Sequence, residues 1–282
     1  MGGGLKFRMT AKKLTKEDIQ KFRRVVREHF KKHGRKLPWR ETTDPYHILV
    51  SEVMLQQTQV ERVIPKYLAF LKAFPTSQAL SKAPLGDVLR IWSGLGYNRR
   101  AQLLQKCAQD IIKNHKGAFP RTQKELEKLS GIGPYTAGAL MTFAFDTPVV
   151  IIETNIRAVY LHHFYTDKKD ISDKALLSFI EQTLDTKHPR LWYNMLMDYG
   201  SYIKQTHGNP NRKSAHYVVQ KKFEGSNRQV RGKILRALTE SLCTTVTLAK
   251  KLALKKEVLE EQLQNLKKEG LVVCEKGKWQ LP

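Results

Sequence analysis

Leu129-Ser130-Gly131-Ile132-Gly133-Pro134-Tyr135-Thr136-Ala137-Gly138 is the stretch that decides the fold. The apolar pattern around it predicts one helix that ends at Leu129 and another that resumes near Tyr135. Two glycines two positions apart, Gly131 and Gly133, permit a tight hairpin with positive φ between the helices. The unpaired N–H groups and the dipole of the second helix suit a phosphate oxygen. The alternative is an ordinary corner between two helices, because a Gly-x-Gly pair alone is weakly specific.

The periodicity on both sides of the hairpin is helical. Apolar residues at helical spacing predict successive helices across residues 15–199, the first of them beginning at a capping box that opens with Thr15 and closing at Pro38-Trp39. The second is predicted from about Pro45 through Leu55, the third ends near Phe74-Pro75, and the next begins at Pro84. Pro65 is expected to begin or kink one of these helices. Residues 200–227 are polar and basic, and they predict a linker or a lobe that closes onto the first domain. The predicted fold is therefore all-α, with two helical lobes.

A different pattern begins at Arg228. Three helices are followed by two short apolar strands around a Lys276-Gly277-Lys278 turn, which is the plan of a winged helix. Winged helices bind duplex DNA with their third helix, but they also mediate protein contacts. The third predicted helix, Lys255 to Glu269, contains four glutamates, an awkward surface for a major groove. Both kinds of partner stay open for this segment.

The charge of the chain indicates a polyanionic partner. Fifty Lys and Arg residues against 26 Asp and Glu give a formal net charge of +24. The excess is local, because the first 40 residues carry 14 basic and 3 acidic side chains, and residues 211–236 carry 8 and 1. Such clusters favour nucleic acid, and a generally basic surface is the alternative.

Several classes of protein are disfavoured by composition. No apolar run approaches the roughly 20 residues of a membrane span, and the basic start is not followed by the hydrophobic block of a secretory signal. The three cysteines, Cys107, Cys243 and Cys274, are too widely spaced for a disulfide framework or a metal-ligand cluster. We expect a cytoplasmic monomer without membrane contact, associated with the nucleoid if the source is bacterial.

Glu52 is the first candidate for chemistry. It lies in a predicted helix that is largely apolar, with Leu49, Val53 and Leu55 close in sequence. A carboxyl group in such surroundings loses hydration, so its pKa is expected to rise and it can hold a proton near neutral pH. The alternative places Glu52 on an exposed helix face. The polar tail after this helix, residues 56–59, suits a loop that fills the space left by an extruded base.

The ordered motifs of residues 37–200 resemble those of the MutY-type adenine DNA glycosylases, within the helix-hairpin-helix (HhH-GPD) superfamily. The motifs are Leu37-Pro38-Trp39-Arg40, Ser51 to Val60, Trp92-Ser93-Gly94-Leu95-Gly96-Tyr97, the hairpin, Ile152-Glu153-Thr154-Asn155-Ile156-Arg157 and Met197-Asp198-Tyr199-Gly200. The resemblance implies a DNA base-excision enzyme that binds double-stranded DNA, flips out a base and hydrolyses its bond to deoxyribose.

Site residues follow from the same resemblance. Glu52 matches the general acid that protonates the leaving base, and Asn155 matches a position that lines the catalytic pocket. The residues that the resemblance implies for DNA contact are Gln57 and Tyr97, as wedges in the duplex, and Gly131 and Gly133, as the phosphate-gripping hairpin.

Glu153 departs from the family pattern, which has Asp at this position. The family Asp stabilises positive charge that develops on the sugar, and Glu153 before a helix start is placed to do the same. Its side chain is longer by one C–C bond, roughly 1.5 Å, and such a displacement can cost about 100-fold in rate. Either the pocket is remodelled for another base or activity is lost.

Tyr135 stands where bifunctional relatives such as endonuclease III carry a lysine that forms a Schiff base. Tyr135 cannot form one, so the resemblance implies a monofunctional enzyme. Its ring is suited to contact the flipped base in the pocket, and packing at a helix start is the alternative.

Two further departures concern the cofactor and the C-terminal segment. The family commonly holds an iron–sulfur cluster on four cysteines just after the segment that matches Gly200, whereas this chain has no cysteine between Ser201 and Phe223. We therefore expect no cofactor and no metal. The residues after Arg228 are also too few for the domain that reads 8-oxoguanine in the relatives.

Together these features predict a flexible N-terminus at residues 1–14, a two-lobed HhH-GPD domain at 15–225 with its hairpin at 129–136, and a winged-helix domain at 226–282. The expected function is a glycosylase without lyase activity that removes a pyrimidine, such as thymine or uracil opposite guanine or a modified cytosine. The alternatives are an adenine glycosylase acting opposite 8-oxoguanine or guanine, and an inactive DNA-binding sensor.

Overall fold

The computed structural model describes residues 13–165, 168–219 and 222–282, and within them the predicted predominance of helix is confirmed. In chain order the helices are α1 (Lys16–His33), α2 (Pro45–Leu55), α3 (Val60–Ala73), α4 (Ser77–Lys82), α5 (Leu85–Trp92), α6 (Arg99–His115), α7 (Gln123–Leu126), α8 (Pro134–Phe143), α9 (Thr154–Phe164), α10 (Asp173–Thr183), α11 (Pro189–Thr206), α12 (Asn227–Glu240), α13 (Thr245–Leu252) and α14 (Lys256–Lys268). Short 3-10 helices lie at Pro38–Arg40 and Pro210–Lys213, and the strands are β1 (Cys243–Thr244), β2 (Val273–Glu275) and β3 (Lys278–Gln280).

The chain divides into two compact units, each assembled from two separate stretches. Unit 1 consists of residues up to 45 together with 134–219, and unit 2 consists of 46–133 together with the residues from 220 onward.

Unit 1 is organised around α9, which packs against α10, α11 and the second 3-10 helix. Phe22 of α1 is fully buried, and its ring lies 5.3 Å from Tyr160, 5.3 Å from Phe164 and 6.1 Å from Trp192, measured between ring centroids. The capping box predicted at the start of α1 is present, since Thr15 and Asp18 exchange hydrogen bonds between side chain and backbone. The apolar face of α1 thus closes the core of this unit.

Unit 2 combines α3–α6 with the C-terminal elements. Phe70 of α3 and Trp92 of α5 are fully buried and meet edge to face at 6.0 Å. From residue 222 onward, α12, α13 and α14 pack on one another beside an antiparallel sheet of order β1-β3-β2, in which Cys274 pairs with Trp279. The three helices and the hairpin match the predicted order, and β1 is an additional strand. The assignment of residues 226–282 as a separate winged-helix domain stays a prediction.

Several predicted boundaries are wrong. The first 3-10 helix is separate from α1, which ends at His33 rather than at Pro38-Trp39. Of the two predictions for Pro65, the helix start is wrong, because Pro65 lies inside α3, and the kink stays a prediction. α7 ends at Leu126 and is followed by turns, so it does not reach Leu129. The six-residue helix α4 was not predicted.

Of the two predictions for residues 200–227, a linker and a lobe that closes onto the first domain, the linker is wrong for the residues up to 215. α11 continues to Thr206, and the following 3-10 helix folds back onto α9. The amide of Ile171 donates to Lys213 O at 2.9 Å and the amide of Ala215 donates to Ile171 O at 3.0 Å. Residues up to 215 are therefore part of unit 1. Of the predicted flexible N-terminus, residues 1–12 lie outside the described part, and the amide of Leu14 donates to Gln182 Oε1 at 2.8 Å.

Among the described residues, no helix combines the length and apolar character needed to cross a bilayer.

Candidate active site and nucleic-acid interface

Glu52 is buried on α2 in unit 2. Only 7% of its surface is exposed, and its neighbours Leu49, Val53 and Met54 are buried as well. α2 is enclosed along most of its length, so the alternative of an exposed helix face for Glu52 is wrong. A carboxyl group in this position is shielded from bulk water, as a general acid requires.

Glu153 is the N-cap of α9 in unit 1. Its Oε1 accepts hydrogen bonds from the backbone amides of Asn155 at 2.7 Å and Ile156 at 2.8 Å. Its Oε2 accepts from Thr154 Oγ1 at 3.0 Å and from the side-chain amide of Asn155 at 3.2 Å. Four donors thus hold the carboxylate at a helix N-terminus, where a negative charge is favoured. The structure brings together Glu153 and Asn155, two of the predicted site residues.

The N-terminus of α9 is held by Gly200, the last residue of the last family motif, and by Asn211 after it. A Cβ on Gly200 would lie 2.1 Å from the carbonyl oxygen of Asn155, so only glycine allows α11 to approach α9 this closely. The side-chain amide of Asn211 donates to the carbonyl of Thr154 at 3.0 Å. These contacts fix the backbone that carries Glu153.

Lys204, on α11, was missed by sequence reasoning. Burial lowers the pKa of its ammonium group, the charge of Glu153 opposes this, and Arg35 adds to the lowering. The net pKa lies below the ordinary value of lysine. A cation therefore lies within the field of Glu153, and no local sequence signal marks it.

Tyr135 lies in the first turn of α8 in unit 1 and is half-buried. The structure therefore places an aromatic side chain at this helix start, and its role in the pocket stays a prediction.

The hairpin glycines lie in unit 2, on the exposed turn before α8. Gly131 has φ +77°, and a Cβ there would lie 2.8 Å from Leu103 Cβ of α6, so both backbone conformation and packing require glycine. Gly133 meets no atom within 4 Å of its Cβ position. The amide of Ser130 donates to Asp110 Oδ2 at 2.9 Å and ties the turn to α6. The structure therefore leaves Gly133 open on the outside of the turn.

The two predicted wedge residues also lie in unit 2. Gln57 and Tyr97 both adopt left-handed backbone conformations, with φ of 55° and 48°. Gln57 is exposed, and 38% of the Tyr97 surface is exposed. Left-handed backbone is uncommon for side chains of this size and is found where surrounding structure enforces it.

Arg100 holds the backbone of both loops in this left-handed conformation. Its Nη1 donates to the carbonyls of Val53 at 2.7 Å and Gln56 at 2.6 Å, and its Nη2 donates to Gly96 O at 3.2 Å. Its guanidinium carbon also lies 5.3 Å from the centre of the Tyr97 ring. Burial lowers the pKa of Arg100 to about 10, so the group stays charged at neutral pH. One half-buried arginine thus joins the loops of Gln57 and Tyr97, a role that sequence reasoning missed.

Two family motifs meet at Asp198 in unit 1. Its carboxylate accepts from Arg35 Nε at 2.7 Å and Arg40 Nη2 at 2.7 Å, and the backbone amide of Arg35 donates to it at 2.8 Å. The motifs Leu37–Arg40 and Met197–Gly200 are therefore joined by the buried ion pair of Arg40 with Asp198, and Arg35, just before the first motif, adds a second pair.

The residues do not fit the iron–sulfur cluster that the family commonly holds. Cys107 lies on α6, where burial raises the pKa of its thiol to about 12, unlike the thiolates that ligate iron. Cys243 and Cys274 lie in the C-terminal part of unit 2, far in sequence from the 201–223 segment. Among residues 13–165, 168–219 and 222–282, no group of three or more His, Cys, Asp or Glu is arranged to hold a metal.

Comparison with known proteins gives the family. The model of the HhH-GPD superfamily of base excision DNA repair proteins matches residues 50–182. The adenine DNA glycosylase of Mycolicibacterium smegmatis is 35% identical over 238 residues, which cover 77% of this chain and 80% of that protein. The adenine DNA glycosylase of Buchnera aphidicola subsp. Baizongia pistaciae is 38% identical over 184 residues, covering 64% of this chain and 52% of that protein.

Solved structures agree on the fold. A thermostable thymine-DNA glycosylase aligns with a TM-score of 0.59 and 26% identity, over 69% of this chain and 93% of its own. An endonuclease III in a trapped covalent DNA intermediate aligns with a TM-score of 0.53 and 23% identity, over 68% of this chain and 86% of its own, and shares the fold.

The chain belongs to the HhH-GPD superfamily of base excision DNA repair proteins. Within it, the chain is similar to the MutY-type adenine DNA glycosylases. It spans about half the length of several curated relatives that it matches, with 52%, 53% and 54% of three Buchnera proteins covered.

Proposed function

We propose that this protein is a DNA glycosylase that flips a base out of double-stranded DNA and hydrolyses its N-glycosidic bond without lyase chemistry. The observation that carries the proposal is the contrast between two carboxyl groups. Glu52 is enclosed in an apolar helix, whereas Glu153 accepts four hydrogen bonds at the start of α9. A carboxyl group shielded from water suits proton donation, and one held by fixed donors suits the stabilisation of a cation.

The proposed reaction uses these two groups in sequence. Glu52 donates a proton to the base as the C1′–N bond breaks, and the electron pair of that bond leaves with the base. Glu153 stabilises the positive charge on the sugar, and water adds to C1′ and releases a proton, which restores Glu52. Since Glu153 is fixed by Asn155, Ile156 and Thr154, it is oriented before the charge develops.

Tyr135 supports the absence of lyase chemistry, because its phenol offers no amine for a Schiff base with the abasic sugar. Borohydride added during turnover is expected to trap no covalent complex, and strand breaks are expected only after alkali. A trapped complex would contradict the monofunctional assignment.

The target base has two candidates. Adenine opposite 8-oxoguanine or guanine is favoured by the curated relatives, which are named adenine DNA glycosylases and are 35–38% identical to this chain. A pyrimidine, such as thymine or uracil opposite guanine or a modified cytosine, is supported by the thymine-DNA glycosylase structure at 26% identity and by Glu153 in place of the family Asp. The higher identity of these relatives supports adenine as the first candidate.

The test is a panel of duplexes that carry each candidate pair, incubated with the protein and cleaved with alkali. Glu52→Gln keeps the shape of the side chain but removes its acidic proton. This variant should still bind the duplex that the unaltered protein cleaves, and its turnover should fall by about 10²–10⁴-fold. Unchanged turnover in this variant would remove Glu52 from the mechanism. Binding without cleavage of any duplex by the unaltered protein would favour an inactive sensor.

We further propose that the protein acts as a cytoplasmic monomer, associated with the nucleoid if its source is bacterial. Relatives that are named adenine DNA glycosylases and the net charge of +24 support a location at DNA.

A further inference from the structure

We propose that the C-terminal segment of this protein contacts the backbone of duplex DNA through α12, with Arg228 binding a phosphate next to the base pair that Tyr97 enters. This inference rests on the proposed function. It assigns the contact to the first helix of the segment and not to α14, the third helix, with which winged helices usually read DNA.

The direct observation is a contact between the C-terminal segment and the wedge loop. Arg228 Nη1 donates to the phenolic oxygen of Tyr97 at 3.0 Å. Tyr97 is therefore held from two directions within unit 2, by Arg228 at its hydroxyl and by Arg100 over its ring. An arginine presents five donors in a planar fork, a geometry that suits a phosphate oxygen beside Tyr97.

The charge along α12 fits a polyanion. The helix carries Arg228, Arg231, Lys233 and Arg236 against the single acid Glu240. Lys233 and Arg236 are exposed, whereas Arg231 is paired with Glu269 at 2.6 Å.

Like charges also converge near the same loop. Burial lowers the pKa of the Lys66 ammonium, and the charge of Arg236 lowers it further. Lys66 Cε lies 3.7 Å from the Cβ position of Gly94, three residues before Tyr97. Two cations held together repel each other, and a phosphate between them removes this cost.

α14 lacks the excess of positive charge that α12 carries. Its three lysines, Lys256, Lys267 and Lys268, are matched by three glutamates, Glu257, Glu260 and Glu261. A helix without net charge gains little from a phosphate backbone, so the electrostatics of the segment favour α12.

The experiment measures duplex affinity by fluorescence anisotropy between about 50 and 300 mM salt. Each phosphate contact contributes about 0.9 to the slope of log K against log salt. Arg228→Gln is expected to reduce the magnitude of the slope by about 0.9, whereas Arg228→Lys, which keeps the charge, should retain it. Thermal unfolding of each variant checks that the fold is intact.

Three controls separate the explanations. Lys250→Gln removes one exposed charge from α13, and Lys267→Gln removes one from α14, and both slopes should stay at the wild-type value. Tyr97→Phe removes the acceptor of the Arg228 hydrogen bond and should lower affinity without changing the slope.

An unchanged salt-dependence slope in Arg228→Gln would overturn the inference. A smaller slope in Lys267→Gln together with an unchanged slope in Arg228→Gln would overturn it as well. Equal affinity losses in Arg228→Gln and Tyr97→Phe at unchanged slope would reduce Arg228 to a positioning residue. Failure of the unaltered protein to bind duplex DNA would instead contradict the proposed function, so the two failures are distinguishable.

Discussion

Asp198 shows how one buried charge organises unit 1. Burial alone would raise the pKa of its carboxyl group, but hydrogen bonds and charge from Arg40 and Arg35 outweigh this, and the pKa lies below the ordinary value of aspartate. The unfolded chain therefore binds the proton more readily than the folded one. This stabilisation is present above the ordinary aspartate pKa and is lost as the pH falls through the lowered pKa.

Asp198→Asn is expected to lower the free energy of unfolding by about 3–5 kcal/mol at pH 7, because Arg40 is left buried without its counter-charge. Below about pH 4 the difference between variant and wild type should shrink. Urea unfolding at several pH values measures both effects. Asp87→Asn is the matched control, since its pair with Arg90 is half exposed and is worth about 0–1 kcal/mol. A deficit for Asp198→Asn that is independent of pH would contradict the assigned charge.

Residue-scale reasoning from sequence proposed Glu52, Glu153, Asn155 and Tyr135 through the family motifs, and their roles stay predictions. The roles of Arg100 and Lys204 were missed, because each depends on neighbours that only the folded chain supplies. Arg100 reaches Val53, which lies 47 positions away in sequence. No local pattern encodes such a contact.

At the scale of elements, the first turns of α6 fasten three different parts of unit 2. Arg100 holds the loops of Gln57 and Tyr97, Leu103 supports the hairpin at Gly131, and the side-chain amide of Gln102 donates to the carbonyl of Glu269 at 3.0 Å. The loops that are proposed to contact DNA are therefore all held by one helix, α6, as precise positioning requires.

Arg100→Met is expected to loosen both wedge loops. Hydrogen bonds from a charged donor are worth about 1.5–3 kcal/mol each, so unfolding should become easier by at least about 2 kcal/mol. Amide hydrogen exchange should accelerate at residues 53–58 and 94–98. Arg99→Met, which alters the exposed neighbour, serves as the control for stability. Equal protection of both segments in Arg100→Met and wild type would refute the fastening role.

The two hairpin glycines offer a matched pair of variants. Gly131→Ala combines positive φ with a 2.8 Å approach to Leu103, so we expect a loss of about 1–3 kcal/mol in stability. Gly133→Ala meets open space and should fold as wild type, yet weaken duplex binding, because the added methyl group stands where a phosphate approaches. Thermal melts and anisotropy separate the two effects. Normal DNA affinity in Gly133→Ala would argue against a phosphate at this turn.

The helices themselves were largely predictable, because periodicity and caps are local signals. α2 has the predicted bounds, Pro45–Leu55. α4 was missed because six residues give too little periodicity, and the end of α11 was missed because Lys204 to Thr206 are polar. Those residues are helical because Ile203 and Gly200 pack inside unit 1, which is a tertiary effect.

At the scale of the whole molecule, the segment after Gly200 is secured by protein contacts. Asn211, Lys213 and the bridge between Ile171 and Ser214 attach it to α9 and its surroundings. We therefore propose that the protein folds without an iron–sulfur cluster.

Iron analysis of the purified protein should find none, and a strong chelator should leave the melting temperature unchanged. Asn211→Ala should lower the stability by about 1 kcal/mol through the lost hydrogen bond to Thr154. Stoichiometric iron, or a chelator-induced fall in the melting temperature, would contradict this expectation.

The discontinuity of unit 1 has a consequence for how the protein is made. Arg23 of α1 donates to the carbonyl of Thr183, 160 positions later in the chain. At about 5–20 residues per second, the ribosome needs roughly 8–30 s to deliver that partner. Throughout this interval the nascent helix exposes Phe22 and Val26, both fully buried in the finished protein. Residues 46–133 are synthesised meanwhile, so biogenesis depends on keeping this early apolar face from aggregating until the second half of its own core emerges.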